Sequence, residues 1–210
     1  MYLSRISRLA PLALAAALCA NAAVVFAPLQ SASDVCYGGG FVCLSGATLT
    51  PGPPTVIQVG ADQTSTAPID ISGFFSIGGS PPSPLPPTTG GHGVTIYNRP
   101  SLGSTGTFEI EITALDLVGP AVRIRESPTR QSFGQTQVTD LGAGDFRIDS
   151  FFDIFTELSL DNGQNWLPSD NQSTGDHFQS STFIPEVPEP SSLLLLSGVG
   201  LALLARRRRR

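Results

Sequence analysis

An apolar run closed by a block of charge sets the outer limit on what this chain can fold into. Leu193 to Ala205 holds thirteen residues without a charge, and Arg206, Arg207, Arg208, Arg209 and Arg210 follow directly. Leu193-Leu194-Leu195-Leu196 and Leu201-Ala202-Leu203-Leu204-Ala205 are strong helix formers. A bilayer crossing needs about 20 residues, so the run is short, but arginine stems that snorkel lengthen it. The arginines are a cytoplasmic charge lock under the positive-inside rule. A C-terminal transmembrane helix is therefore expected, with Pro188, Glu189 and Pro190 just outside the membrane. The prolines hold that tripeptide extended and keep it out of the helix. An exposed, extended peptide beside a bilayer suits a membrane-embedded protease. An ordinary single-pass anchor with a proline-rich linker has the same physics.

The other end also points to a membrane. Arg5 and Arg8 precede an alanine-rich apolar stretch from Leu9 to Ala27, interrupted only by Pro11 and Asn21. Ala20-Asn21-Ala22 has the small-x-small form of a cleavage site, and a cut near Ala32 or Ser33 also fits. Residues 1–32 are read as a signal peptide, with an uncleaved N-terminal anchor as the alternative. Between Ser33 and Pro190 lie five arginines and all seventeen acidic residues, a balance of about −12, with no lysine anywhere. Such a surface repels nucleic acid.

Val187-Pro188-Glu189-Pro190-Ser191-Ser192, the apolar run and the arginines together resemble the PEP-CTERM sorting signal of secreted bacterial proteins. The resemblance covers the last twenty-four residues. It implies an exosortase, a membrane-embedded protease-like enzyme acting at Pro188, Glu189 and Pro190, as partner, after export by the general secretion machinery. It also implies a protein held transiently at the membrane and then released to the cell surface or the extracellular matrix, often of bacteria that make exopolysaccharide. Val122 to Thr129 and Phe146 to Asp161 look like segments of other proteins carrying this signal, and imply no activity.

Between the two addresses the pattern is β. Phe108, Ile110 and Ile112 alternate with Glu109 and Glu111, as in a half-buried antiparallel strand. Leu115 to Leu117 extends that strand past a bulge. Further strands are expected at Val56–Val59, Ile69–Ile77, Val94–Tyr97, Ala121–Glu126, Gln135–Thr139, Gly144–Asp149 and Phe151–Leu160, with a final strand and a tether in residues 168–187. Gly78 to Gly93, with Pro81, Pro82, Pro84, Pro86 and Pro87, reads as a surface loop. The expected fold is all-β: a jelly-roll-like antiparallel β-sandwich over residues 33–183, with the sorting segment at 184–210.

Cys36 and Cys43 flank Tyr37-Gly38-Gly39-Gly40-Phe41-Val42, and an oxidising compartment favours a disulfide across that loop. Ser159-Leu160-Asp161-Asn162-Gly163-Gln164-Asn165-Trp166 resembles the Asp-box of sialidases and other propeller enzymes, with Asn165 where threonine is usual. There the motif is a structural turn. Ser159, Asp161, Gly163 and Trp166 are accordingly expected to close a hairpin, and one copy cannot build a propeller. His92 and His177 have no second histidine nearby, and no HExxH, GxSxG or Walker loop occurs. Asp149, Asp153, Asp145 and Glu157 could hold calcium, but read better as solvated carboxylates. Glu109 or Asp153 would be the acid and base of a hydrolase. No catalytic residue, metal or cofactor is expected. Phe133, Phe146, Phe151, Phe152 and Phe155 read as core, or as a face for stacking extracellular polysaccharide. A non-catalytic matrix protein is thus the first expectation and a carbohydrate-binding module the second.

Overall fold

Glycine-punctuated alternation becomes fourteen strands among the described residues. The computed structural model describes residues 27–101, 103–142 and 145–184. The signal segment up to residue 26 and the sorting segment from residue 185 lie outside the described residues, and so do the two helices expected there. Among the described residues no helix is long and apolar enough to cross a membrane.

The strands are β1 (Leu29–Ser31), β2 (Val35–Tyr37), β3 (Val42–Pro51), β4 (Thr55–Val59), β5 (Asp62–Ile77), β6 (Ser83–Pro84) and β7 (Thr88–Ile96). They continue as β8 (Gly106–Val118), β9 (Arg123–Glu126), β10 (Ser132–Gly142), β11 (Asp145–Ile154), β12 (Thr156–Ser159), β13 (Leu167–Pro168) and β14 (Asp176–Ile184). Every named strand pairing is antiparallel. Eight strands close a ring in the order β8, β10, β11, β14, β1, β3, β5, β7 and back to β8. The remaining strands branch from it: β9, β12 and β13 from β8, β2 from β3, and β4 and β6 from β5.

A closed ring replaces the expected pair of separate sheets, because long strands bend and share their edges. One edge of β8 pairs with β10 along residues 106–112 and with β9 along 116–118. Thr113 is an extra residue between the Gly93–Ala114 and Val94–Ile112 pairs, a bulge that turns the strand. β5 turns at Gly73 (φ +146°), where Gly46 and Ala47 of β3 face this one residue; a Cβ there would lie 3.0 Å from the Ser45 carbonyl oxygen. Bent strands of this kind leave no gap between two sheets.

Three expectations change in detail. The proline-rich segment 78–93 is not a continuous loop, since it contains β6 and most of β7. The glycines there allow a close strand approach: a Cβ on Gly90 would stand 1.7 Å from the Asp116 carbonyl oxygen. Phe151–Leu160 is broken at Phe155 into β11 and β12. β1 lies inside residues 1–32, yet Leu29 is 5% exposed and pairs with Leu49, while Gln30 pairs with both Thr48 and Gln179.

The core joins inward residues of all eight ring strands, including Leu29, Leu49, Ile69, Val94, Ile110, Val138, Phe152 and Phe178. Tyr37 is fully buried, and its hydroxyl meets Thr156 Oγ1 at 2.8 Å. Burial pushes the Tyr37 pKa well up. β1 and β14 are hydrogen-bonded neighbours of opposite direction, so the chain enters and leaves at the same end of the ring.

Candidate functional site

The turn between β12 and β13 is built on one carboxylate. Asp161 Oδ1 accepts from the backbone N–H of Gln164 (3.0 Å) and Asn165 (2.8 Å) and from the Ser159 hydroxyl (2.7 Å). Its Oδ2 accepts from the Asn165 side-chain amide at 2.6 Å. The asparagine at the usual threonine position therefore supplies a bond of its own. Ser159 Oγ in turn accepts from Gly163 N–H at 2.8 Å. Asn162 (φ 60°) and Gly163 (φ 90°) take the left-handed conformation the turn requires. The donors of Asn165 and Ser159 hold the Asp161 pKa at about 2. The donors to this carboxylate all come from its own turn, which is structural chemistry.

Trp166 is fixed from the neighbouring strand. The Arg125 guanidinium lies 3.9 Å from its ring centre and also donates to Glu157 at 2.7 and 2.9 Å. Arg123 Nη1 donates to the Asn162 carbonyl at 3.3 Å. Arg123, Arg125 and Trp166, with Glu111, Glu126 and the Gly91–Gly93 backbone, line an open groove of about 1440 Å³. Burial pushes the Glu126 pKa up to about 6, against opposing hydrogen bonds from Ser132. His92 also lines the groove, and burial lowers its pKa against an opposing hydrogen bond to the Ala67 backbone.

The sulfurs of Cys36 and Cys43 are bonded, and the two residues face each other across β2 and β3. Between them Gly38, Gly39 and Gly40 all have positive φ. Asp170 clamps this loop from a distant part of the chain, accepting from Gly39 N–H at 2.8 Å and Gly40 N–H at 2.7 Å. Asp176 lies 1% exposed nearby in sequence, takes Ser169 Oγ at 2.7 Å and Asn171 Nδ2 at 2.8 Å, and has its pKa raised by burial. Spacing alone could not reveal the Asp170 clamp, because 130 positions separate it from Gly40.

The five phenylalanines divide. Phe152 is core, Phe146 packs against the core, and Phe155 carries the Arg130 guanidinium at 5.2 Å. Phe133 (49% exposed) and Phe151 (37%) stand on the outer face of β10 and β11. The register sets Phe133 between Glu111 and Asp153, and Phe151 between Gln135 and Gln179. The Phe151 ring is 5.5 Å from that of His177, whose Nδ1 meets Asp153 at 2.7 Å.

Glu109 and Asp153 line one open groove with Tyr97, Phe133 and Phe151, whereas the other candidate carboxylates stand apart. Asp149 and Asp153 share a face of β11 but stand four residues apart, about 13 Å on an extended strand. Asp149 accepts from Ser181 at 2.6 Å and from Arg147, which lowers its pKa, whereas Glu157 serves Arg125 on β9. Among the described residues, no group of three or more His, Cys, Asp or Glu is placed to hold a metal ion.

The domain thus presents structural turns and open faces, and its address is written in the segment beyond β14. A family model described as the PEP-CTERM protein-sorting motif matches residues 186–210. The chain carries a PEP-CTERM motif. The match spans Pro188, Glu189 and Pro190, the apolar run and Arg206 to Arg210. The PEP-CTERM motif marks an exported protein, targeted to exosortase, whose C-terminus is membrane-anchored before processing. Neither a curated protein nor a solved structure matches the chain.

Proposed function

We propose that this chain is a non-catalytic cell-surface or matrix protein, exported by the general secretion machinery and released when exosortase cuts at Pro188, Glu189 and Pro190. The observation that carries this is the matched motif, which starts two residues after the last strand, β14, ends at Ile184. The last described strand ends before the motif begins, so the motif can be removed without taking a described strand with it. The structural use of Asp161 and the pairing of Glu157 with Arg125 and of Asp149 with Arg147 and Ser181 favour a binding or scaffolding role over hydrolysis. Intact mass of the secreted protein from its native host tests this. A product ending near Pro188–Pro190 is expected; one retaining Leu193–Arg210 would contradict processing.

The outer face of β10, β11 and β14 favours a second reading, that the domain holds neutral extracellular polysaccharide. Phe133 and Phe151 offer apolar ring faces, and Gln135, Gln179 and Gln30 line the same row as donors and acceptors. The acidic balance of the domain disfavours anionic polymers. Pull-down with neutral and anionic exopolysaccharide tests it. Retention of the neutral polymer, lost in Phe133→Ala/Phe151→Ala, supports this reading; no retention removes it.

A further inference from the structure

The end of the ring from which the chain leaves is also where the most exposed apolar side chains gather. Around the ring, β14, β3, β7 and β10 end there, and β1, β5, β8 and β11 begin there. The β4–β5 hairpin and the β10–β11 hairpin therefore turn at that end. Val59 (64% exposed) and Ile57 (60%) stand on the first, Leu141 (52%) on the second, and Phe183 (56%) on the last turn-ward residues of β14. None of these side chains is needed by the core, and polar residues would serve solubility better.

Only Pro185, Glu186 and Val187 separate Ile184 from Pro188. Four residue steps reach at most about 14 Å even when fully extended. The exit end of the domain therefore stays within about 14 Å of Pro188. We infer that the rim formed by Ile57, Val59, Leu141 and Phe183 docks on the lipid bilayer while the C-terminal anchor is in place. This presents Pro188-Glu189-Pro190 at a fixed height to a membrane-embedded protease. The inference rests on the sorting function proposed above. Asp62, Asp140 and Asp145 belong to the same hairpins, so a zwitterionic surface suits the rim better than an anionic one.

The test uses the full chain reconstituted in phosphatidylcholine vesicles whose acyl chains are brominated near the headgroup. Val59→Trp, Leu141→Trp and Phe183→Trp are compared with Phe74→Trp, an equally exposed site near the opposite end of β5, with native Trp166 as baseline. Loss of the added emission at 59, 141 and 183 but not at 74, weakened by anionic lipid, is expected. Vesicle-bound protein with no quenching at 59, 141 or 183 overturns the docking rim. Protein that does not float with the vesicles at all overturns the membrane anchor itself, and the rim with it. In cells, Leu141→Asp/Phe183→Asp should slow tail removal, and unchanged removal would count against the rim.

Discussion

Arg125 is stacked on Trp166 with its guanidinium carbon 3.9 Å from the ring centre, while the same group donates to Glu157. One cation thereby ties the β12–β13 turn to β9. The contact is half-exposed, so a stacking energy of about 0.5–1 kcal/mol is expected. A double-mutant cycle of Arg125→Ala and Trp166→Ala, followed by denaturant unfolding, should show a coupling of about that size. Arg125→Lys should not restore it, because an ammonium lacks the planar fork that stacks and pairs at once. Zero coupling would mean that the two side chains are only neighbours.

Asp161 gives the turn a pH signature. Its folded pKa is about 2, below the ordinary carboxylate value, because Asn165 and Ser159 donate to the charged form. A depressed carboxylate stabilises fully above its unfolded pKa and loses that contribution as pH falls through the folded value. Thermal melts of the native chain should therefore fall between about pH 4 and pH 2 more steeply than those of Asp161→Asn. Asp161→Ala should melt lower at neutral pH. Identical acid limbs would show that the carboxylate does not support the turn.

How far the sequence reveals this fold depends on whether side chains mark the faces. Phe108, Ile110 and Ile112 announced β8, and the expected bulge before Leu115 is the extra Thr113. Gly90, Gly91 and Gly93 carry no side chains to alternate, so β7 was legible only from Val94 onward. The pairing of β1 with β14 joins residues about 150 apart, and three-residue strands give no period to detect. At the other extreme the sorting motif is local, so its resemblance to a known signal rests on contiguous residues alone. The Ser159–Trp166 turn was legible for the same reason. Its outside partners Arg123 and Arg125 were not, because they lie on another strand.

β1 bears on where the signal peptide is cut. Leu29 is buried and Gln30 bridges Thr48 and Gln179, so removing residues up to 32 would delete a strand that links β3 to β14. Cleavage after Ala22 leaves that strand intact. N-terminal sequencing of the exported protein should therefore begin at Ala23. A start at Ser33 or Asp34 would mean that the ring tolerates the loss of β1.

Glu126 works in the opposite sense to Asp161. Burial raises its folded pKa to about 6 from an ordinary value of 4.5. A raised acid contributes stability below its unfolded pKa and loses it as pH climbs through the folded one. Glu126→Gln should match the native chain near pH 4 and melt higher above about pH 6, where the native carboxylate is charged in a partly desolvated groove. A constant offset across that range would place the effect in packing instead of ionisation.

The Cys36–Cys43 bond and the Asp170 carboxylate hold the same loop by different means. The disulfide closes a segment of sequence separation 7, for which restriction of the unfolded chain is worth about 2–3 kcal/mol. Asp170 acts on the folded state, accepting from Gly39 and Gly40 in a loop whose three glycines have positive φ. Asp170→Ala should cost about 1 kcal/mol with the disulfide intact. In Cys36→Ser/Cys43→Ser the clamp becomes the main tie on the loop, so the combined variant should lose more than the two effects added together. Denaturant unfolding of all four chains measures this directly, and strict additivity would show that the carboxylate and the disulfide act independently.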